Sequence, residues 1–118
     1  MHLNMNPRAT FGVLLVAAML LVQPALANAG RAPATAEETI AIMNFAFQPA
    51  TLTVDAGSRV VWVNHDEEPH AVVSVGAQFK NSPAMDTDDR YAVVFATPGT
   101  YTYFCSIHPH MVGKIIVR

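Results

Sequence analysis

Residues Tyr101–Val117 read YTYFCSIHPHMVGKIIV, and the loop at their centre decides how the rest of the chain is read. Cys105, His108 and Met111 stand there in the spacing Cys-x2-His-x2-Met. A thiolate, an imidazole and a thioether offered by one short loop are the soft and borderline donors that copper prefers. Zinc accepts Cys and His as well, but Met is outside its usual ligand set. β-rich segments flank the loop, Tyr101–Phe104 before it and Lys114–Val117 after it, so its ligands are pinned at both ends. A trigonal copper site of the electron-transfer kind needs a second imidazole beside the Cys, the His and a weak axial Met. His70 is the upstream candidate. It follows a loop ending in Pro69 and opens a strand-like run, where a ring can point into the top of a sandwich.

Each residue has a plainer reading when taken singly. Cys105 reads as a small buried apolar residue, Met111 as core filler, and His70 and His108 as solvated loop histidines. All four together, three of them on one loop between strands, are poorly explained that way. His110 is a rival to His108, but it would leave no residue between His and Met, and it reads as exposed.

Outward from the loop, the chain is a series of short β runs broken by turn signals, the pattern of an all-β sandwich or barrel. Thr39–Met43, Thr51–Val54, Arg59–Asn64, His70–Val75 and Arg90–Phe95 read as strands, with the two segments around the ligand loop completing the set. Arg59–Asn64 places Val60, Trp62 and Asn64 on one face. Phe45 and Phe47 are two apart and can share a face of an extended segment; with Trp62 and Tyr103 they read as core. Asp66, Glu67 and Glu68 read as a solvated loop rather than a docking surface or second metal site. Phe79–Asp89, with its Pro and clustered Asp, reads as a surface loop, and Thr97–Thr100 as a tight turn. The expected fold is an antiparallel Greek-key β-sandwich of about seven or eight strands.

The 118 residues allow one small domain. Arg8, the apolar run Phe11–Val22 and the small-x-small site Ala25-Leu26-Ala27 form a secretory signal peptide, residues 1–27, with cleavage expected after Ala27. Twelve apolar residues are short for a membrane anchor, which needs about 20. Residues 28–38 read as a flexible polar tether and 39–118 as the domain. From Asn28 the chain carries six Lys/Arg and nine Asp/Glu, a net charge of −3 with His neutral. With no basic run, nucleic acid is not an expected partner. One cysteine permits no internal disulfide, and a lone thiol in an exported protein needs a reason that metal ligation supplies.

The stretch NFAFQPATLTVDAGSRVVWVNHDEEPH, followed by PGTYTYFCSIHPHM and the terminal GKIIV, resembles the cupredoxins, the type 1 (blue) copper proteins. The two-residue gaps on both sides of His108 are similar to the ligand loop of the amicyanins, and plastocyanins and pseudoazurins have a longer gap before the Met. The resemblance covers about Thr39–Val117. It implies a cupredoxin-like sandwich with one type 1 copper, ligated by His70, Cys105, His108 and axial Met111. It also implies a periplasmic, monomeric electron carrier with no small-molecule substrate and no catalysis, forming transient complexes with a redox donor and acceptor. By likeness to amicyanin these would be a dehydrogenase and a c-type cytochrome. Copper scavenging or delivery through the same ligands is the alternative, and a thiol-based enzyme lacks any group to orient the Cys105–His108 pair. The sequence departs from the family in one place. Ala71 follows the first His, where relatives carry an Asn whose side chain ties the ligand loop to that strand.

Overall fold

A computed structural model describes residues 35–118, together with Gly12; the expected signal peptide and most of the expected tether lie outside the described residues. Eight strands form two four-stranded sheets. They are β1 (Glu37–Met43), β2 (Ala46–Gln48), β3 (Thr51–Val54), β4 (Ser58–Asn64), β5 (Val73–Ser74), β6 (Arg90–Phe95), β7 (Gly99–Phe104) and β8 (Val112–Val117). One sheet has the order β2-β1-β4-β6 and the other β3-β8-β7-β5. The all-β sandwich is as expected, but it is mixed rather than antiparallel throughout. β1 pairs with β4, and β3 with β8, in parallel. The reason lies in the chain path: β1 and β4 are separated by an excursion of β3 into the opposite sheet. Neighbours joined by such a crossover can run parallel, whereas a short hairpin forces antiparallel pairing.

Alternation along the strands builds the core. Ile40 and Ile42 of β1, Val60 and Trp62 of β4, Tyr103 of β7, and Ile115 and Val117 of β8 all face inward. Trp62 is the hub, fully buried, with Tyr103 edge-on at 5.2 Å and Tyr91, Phe79 and Phe95 within 6.4 Å. Phe47 meets Tyr103 at 4.7 Å. Burying an indole of this size stabilises by about 5 kcal/mol in gross transfer free energy, before conformational entropy is counted.

Two expectations are corrected. The strand expected over His70–Val75 is only Val73–Ser74, preceded by a single bridge from His70 to Met85. Side chains from the following loop take the backbone groups a strand partner would have taken. Ser82 Oγ accepts the Val72 N–H and Asn81 Oδ1 accepts the Ser74 N–H. Ser74 Oγ then accepts the Gln78 N–H, turning the chain through a short 3-10 segment. The second correction concerns Phe45. Asn44 and Phe45 form a tight turn with φ of 53° and 56°, so the ring leaves the face of Phe47 and stands 39% exposed at the end of the sandwich.

Candidate metal centre

The ligand loop hangs between β7 and β8. Tyr103 faces inward on β7, so Cys105, two residues on, faces the same way and is fully buried. The loop is closed by its own backbone: Cys105 N–H donates to Met111 C=O at 3.0 Å, and Met111 N–H donates to His108 C=O at 2.9 Å. Met111 is buried in the same core cluster as Cys105, whereas His108 is only partly covered. His110 is exposed, its ring 6.3 Å from that of His108.

His70 arrives on the segment between β4 and β5, the latter lying beside β7, and is completely buried. Its backbone is held by two hydrogen bonds with Met85, His70 N–H to Met85 C=O at 3.1 Å and the reverse at 2.7 Å. His70, Cys105 and His108 thereby form one group whose donor atoms all lie within 4.8 Å of one another. The Nδ1 atoms of the two imidazoles are 3.2 Å apart, and Cys105 Sγ lies 3.8 Å from His70 Nδ1 and 3.9 Å from His108 Nδ1. The centre of that triangle is about 2.1 Å from each corner, within the span of first-row metal–nitrogen and metal–sulfur bonds.

The surroundings prepare the donors. Asp66 Oδ2 lies 2.8 Å from His70 Nε2. Burial would raise the Asp66 carboxyl, but the Phe45 and Asn44 N–H groups and His70 outweigh it and hold it below its usual value. An ionised carboxylate can only accept, so the proton it meets is on His70 Nε2, and Nδ1 is the ring nitrogen that faces the triangle. Ala71 N–H points at Cys105 Sγ at 3.4 Å, so the backbone ties the thiolate to the His70 segment even though Ala71 lacks the side chain to do so. Phe45 stands edge-on to both imidazoles, with centroids 5.4 Å from His70 and 5.0 Å from His108.

Asp66 and Phe45 are therefore the residues that the sequence reading placed wrongly, one in solvent and one in the core. The available signal was an acidic residue four before a histidine, which in a strand would bring nothing together and in a loop closes on itself. Asn64 was correctly placed inward, but its work went unseen. Fully buried, it donates through Nδ2 to Glu68 C=O and Met85 C=O, both at 2.9 Å, and accepts the Asp66 N–H through Oδ1 at 3.0 Å. It thus braces the segment carrying Asp66 and His70.

Two imidazoles and a thiolate converging at the end of a β-sandwich define a copper protein built on a rigid scaffold. The family model for the cupredoxin-like domain matches residues 12–117. Amicyanin-alpha of Methylorubrum extorquens is 36% identical over 107 residues, covering 83% of this chain and 85% of that protein. The chloroplastic plastocyanin of Tetradesmus obliquus is 40% identical over 85 residues, covering 61% of this chain and 58% of its own. A purple cupredoxin from Nitrosopumilus maritimus superposes with a TM-score of 0.63 at 33% identity, over 68% of this chain and 98% of that one. The chain belongs to the cupredoxin family. It is a type 1 copper electron-transfer protein, taking one copper per chain.

Proposed function

We propose that this protein is an exported carrier of single electrons, and that His70 Nδ1, Cys105 Sγ, His108 Nδ1 and the Met111 thioether would hold its copper. The observation that carries the ligand set is the triangle of two Nδ1 atoms and one Sγ, with edges of 3.2 to 3.9 Å, beside a buried Met111. Copper supplies a one-electron couple. The chain's part is to keep the donors still. His70 is locked by Met85 and Asp66, Cys105 by Ala71 N–H and the Met111 carbonyl, and His108 by the closed loop. Ligands held by a stiff sandwich move little when the charge changes, so reorganisation costs little.

His108 is the member of the set that reaches the surface, and its ring edge is the proposed port for electrons. Phe45, Ile107 and Pro109 are exposed apolar or semi-apolar residues on the segments around it. These exposed side chains beside the His108 edge are the proposed docking face for brief encounters with a redox donor and acceptor, proposed as a dehydrogenase and a c-type cytochrome in the periplasm. The leader of residues 1–27 supports export. The tether is shorter than the expected 28–38, because Glu37 and Glu38 already pair with β4, and the working domain begins with β1 rather than at Thr39, acting as a monomer. The reading makes the protein a carrier with no substrate of its own.

The decisive experiment is the visible and EPR spectrum of the copper-loaded protein and of His108→Gly. An intense red-end band with narrow copper hyperfine splitting is expected for the parent. In His108→Gly that band disappears and added imidazole restores it. An unchanged His108→Gly spectrum removes His108 from the site. Slow self-exchange with ready copper hand-off to a chelating partner would replace the carrier role by copper delivery.

A further inference from the structure

We propose that Asp66 is a positioning residue that joins the β1–β2 turn to the metal ligands, so that one carboxylate holds both the His70 ring and a Phe45 cover over the two imidazoles. The proposal rests on the reading that His70 and His108 hold copper. Asp66 Oδ1 accepts the Asn44 N–H at 2.7 Å, and Oδ2 accepts both the Phe45 N–H at 2.9 Å and His70 Nε2–H at 2.8 Å. No other described side chain bridges that turn to a ligand ring in this way. The turn needs such a clamp, because both its residues adopt positive φ, 53° at Asn44 and 56° at Phe45. Asn tolerates that conformation, but a bulky residue such as Phe does so only where its surroundings over-determine it.

The strain has an evident product. It lifts the Phe45 ring off the core face and sets it edge-on to His70 at 5.4 Å and His108 at 5.0 Å, perpendicular to each within a few degrees. A side chain that is 39% exposed thus covers ligand imidazoles from solvent. The carboxylate is itself aimed. Asp66 N–H donates to Asn64 Oδ1, and Asp66 C=O accepts from Thr87 Oγ1 at 2.8 Å. Asp66 is therefore fixed to β4 and to the loop before β6 while it grips the turn and the ligand. Hydrogen-bond partners of metal-bound imidazoles set ring orientation and donor strength. Here the same partner also decides whether the cover is in place.

The test uses the full chain, copper-free and copper-loaded, as the parent, Asp66→Ala, Asp66→Asn and Phe45→Ala. In the copper-free parent, NMR should show a slowly exchanging His70 Nε2 proton and nuclear Overhauser contacts from Phe45 to both imidazoles. Asp66→Ala should lose both signals, with proton exchange at least tenfold faster and copper affinity down roughly 10- to 100-fold. Asp66→Asn, near-isosteric and able to stand in if the alanine variant does not fold, keeps an oxygen for the Asn44 N–H but turns an NH2 toward both the Phe45 N–H and His70, which share Oδ2 in the parent. It should weaken the Phe45 contacts, lose the Nε2 protection, and raise the reduction potential, because losing a carboxylate weakens Cu(II) binding more than Cu(I). Each tenfold difference between the two affinities reads as 59 mV. Phe45→Ala should leave the Nε2 proton protected. Parent-like exchange and Phe45 contacts in both Asp66 variants would overturn the proposal. A copper-loaded parent without a blue band would sink the copper reading instead, and would leave the copper-free contacts to be judged by themselves.

Discussion

Gly113 sits at the neck of the ligand loop, directly across from Tyr103 in the β7–β8 ladder, and replacing it by Ala tests how tightly that neck is built. A Cβ at position 113 would lie 2.6 Å from Tyr103 Cε2 and closer still to the ring's Cζ and hydroxyl. Carbon atoms in contact prefer about 3.5–4.0 Å, so the ring would have to withdraw by roughly 1 Å or more. It has nowhere to go. Tyr103 is fully buried, with Phe47 at 4.7 Å and Trp62 at 5.2 Å between centroids. Forced overpacking of this kind costs about 1–3 kcal/mol, and a contact this close belongs at the upper end. For a domain of this size, 2–3 kcal/mol lowers the melting temperature by about 10–20 °C. The assay is thermal unfolding of the copper-free protein followed by circular dichroism, because bound copper would add its own stabilisation. In a Tyr103→Leu background the same Gly113→Ala change should cost less than about 1 kcal/mol, since the obstacle is gone. A Gly113→Ala protein within about 0.5 kcal/mol of the parent, or costs that simply add in the double variant, would refute the reasoning.

Other outcomes follow from the same structure. Asn64→Ala removes three hydrogen bonds, takes from the Met85 C=O the one of its two donors that is not the His70 N–H, and leaves the Asp66 N–H without its acceptor, so unfolding free energy should fall by about 2–4 kcal/mol. Chemical denaturation measures it, and copper should be released faster because the His70 segment loosens. Burial pushes the Tyr103 hydroxyl up to about 12, with neighbouring Trp62 pulling slightly the other way. A raised value means stability is intact below the unfolded pKa of about 10 and is lost as pH rises through 12, by about 2–3 kcal/mol at the limit. Tyr103→Phe should remove that alkaline slope from the denaturation profile, and an unaltered slope would place its origin elsewhere. Ala71→Pro deletes the N–H that faces Cys105 Sγ. Losing that donor leaves the thiolate richer in electrons, so the reduction potential should fall and the blue band shift; cyclic voltammetry and the visible spectrum check both.

Residues near in sequence, or patterned with period two, carried most of their structure openly. The ligand loop is local. Cys105 and Met111 are joined by a backbone bond across six residues, and their flanking strands alternate inward and outward as written. Trp62 and Val60 share an inner face because strand geometry leaves no choice. The type of fold and the local course of the proposed ligand loop could be read for these reasons. Composition and spacing could not reveal which strands lie side by side. Parallel pairing of β1 with β4 depends on the path through the opposite sheet.

Tertiary structure alone decided what surrounds the donors. Whether Asp66 is a solvated acid or the partner of His70 depends on a turn some twenty residues upstream offering two amides to it. Whether Phe45 packs in the core or over the imidazoles depends on the sign of φ at two residues, which that carboxylate helps to set. Whether Ala71 breaks the tie between ligand loop and His70 depends on a backbone N–H that every residue except proline possesses. Donor identity is a property of side chains and is written in the chain. Donor orientation is a property of hydrogen bonds between distant backbone and side-chain groups, and these exist only once the sandwich has closed.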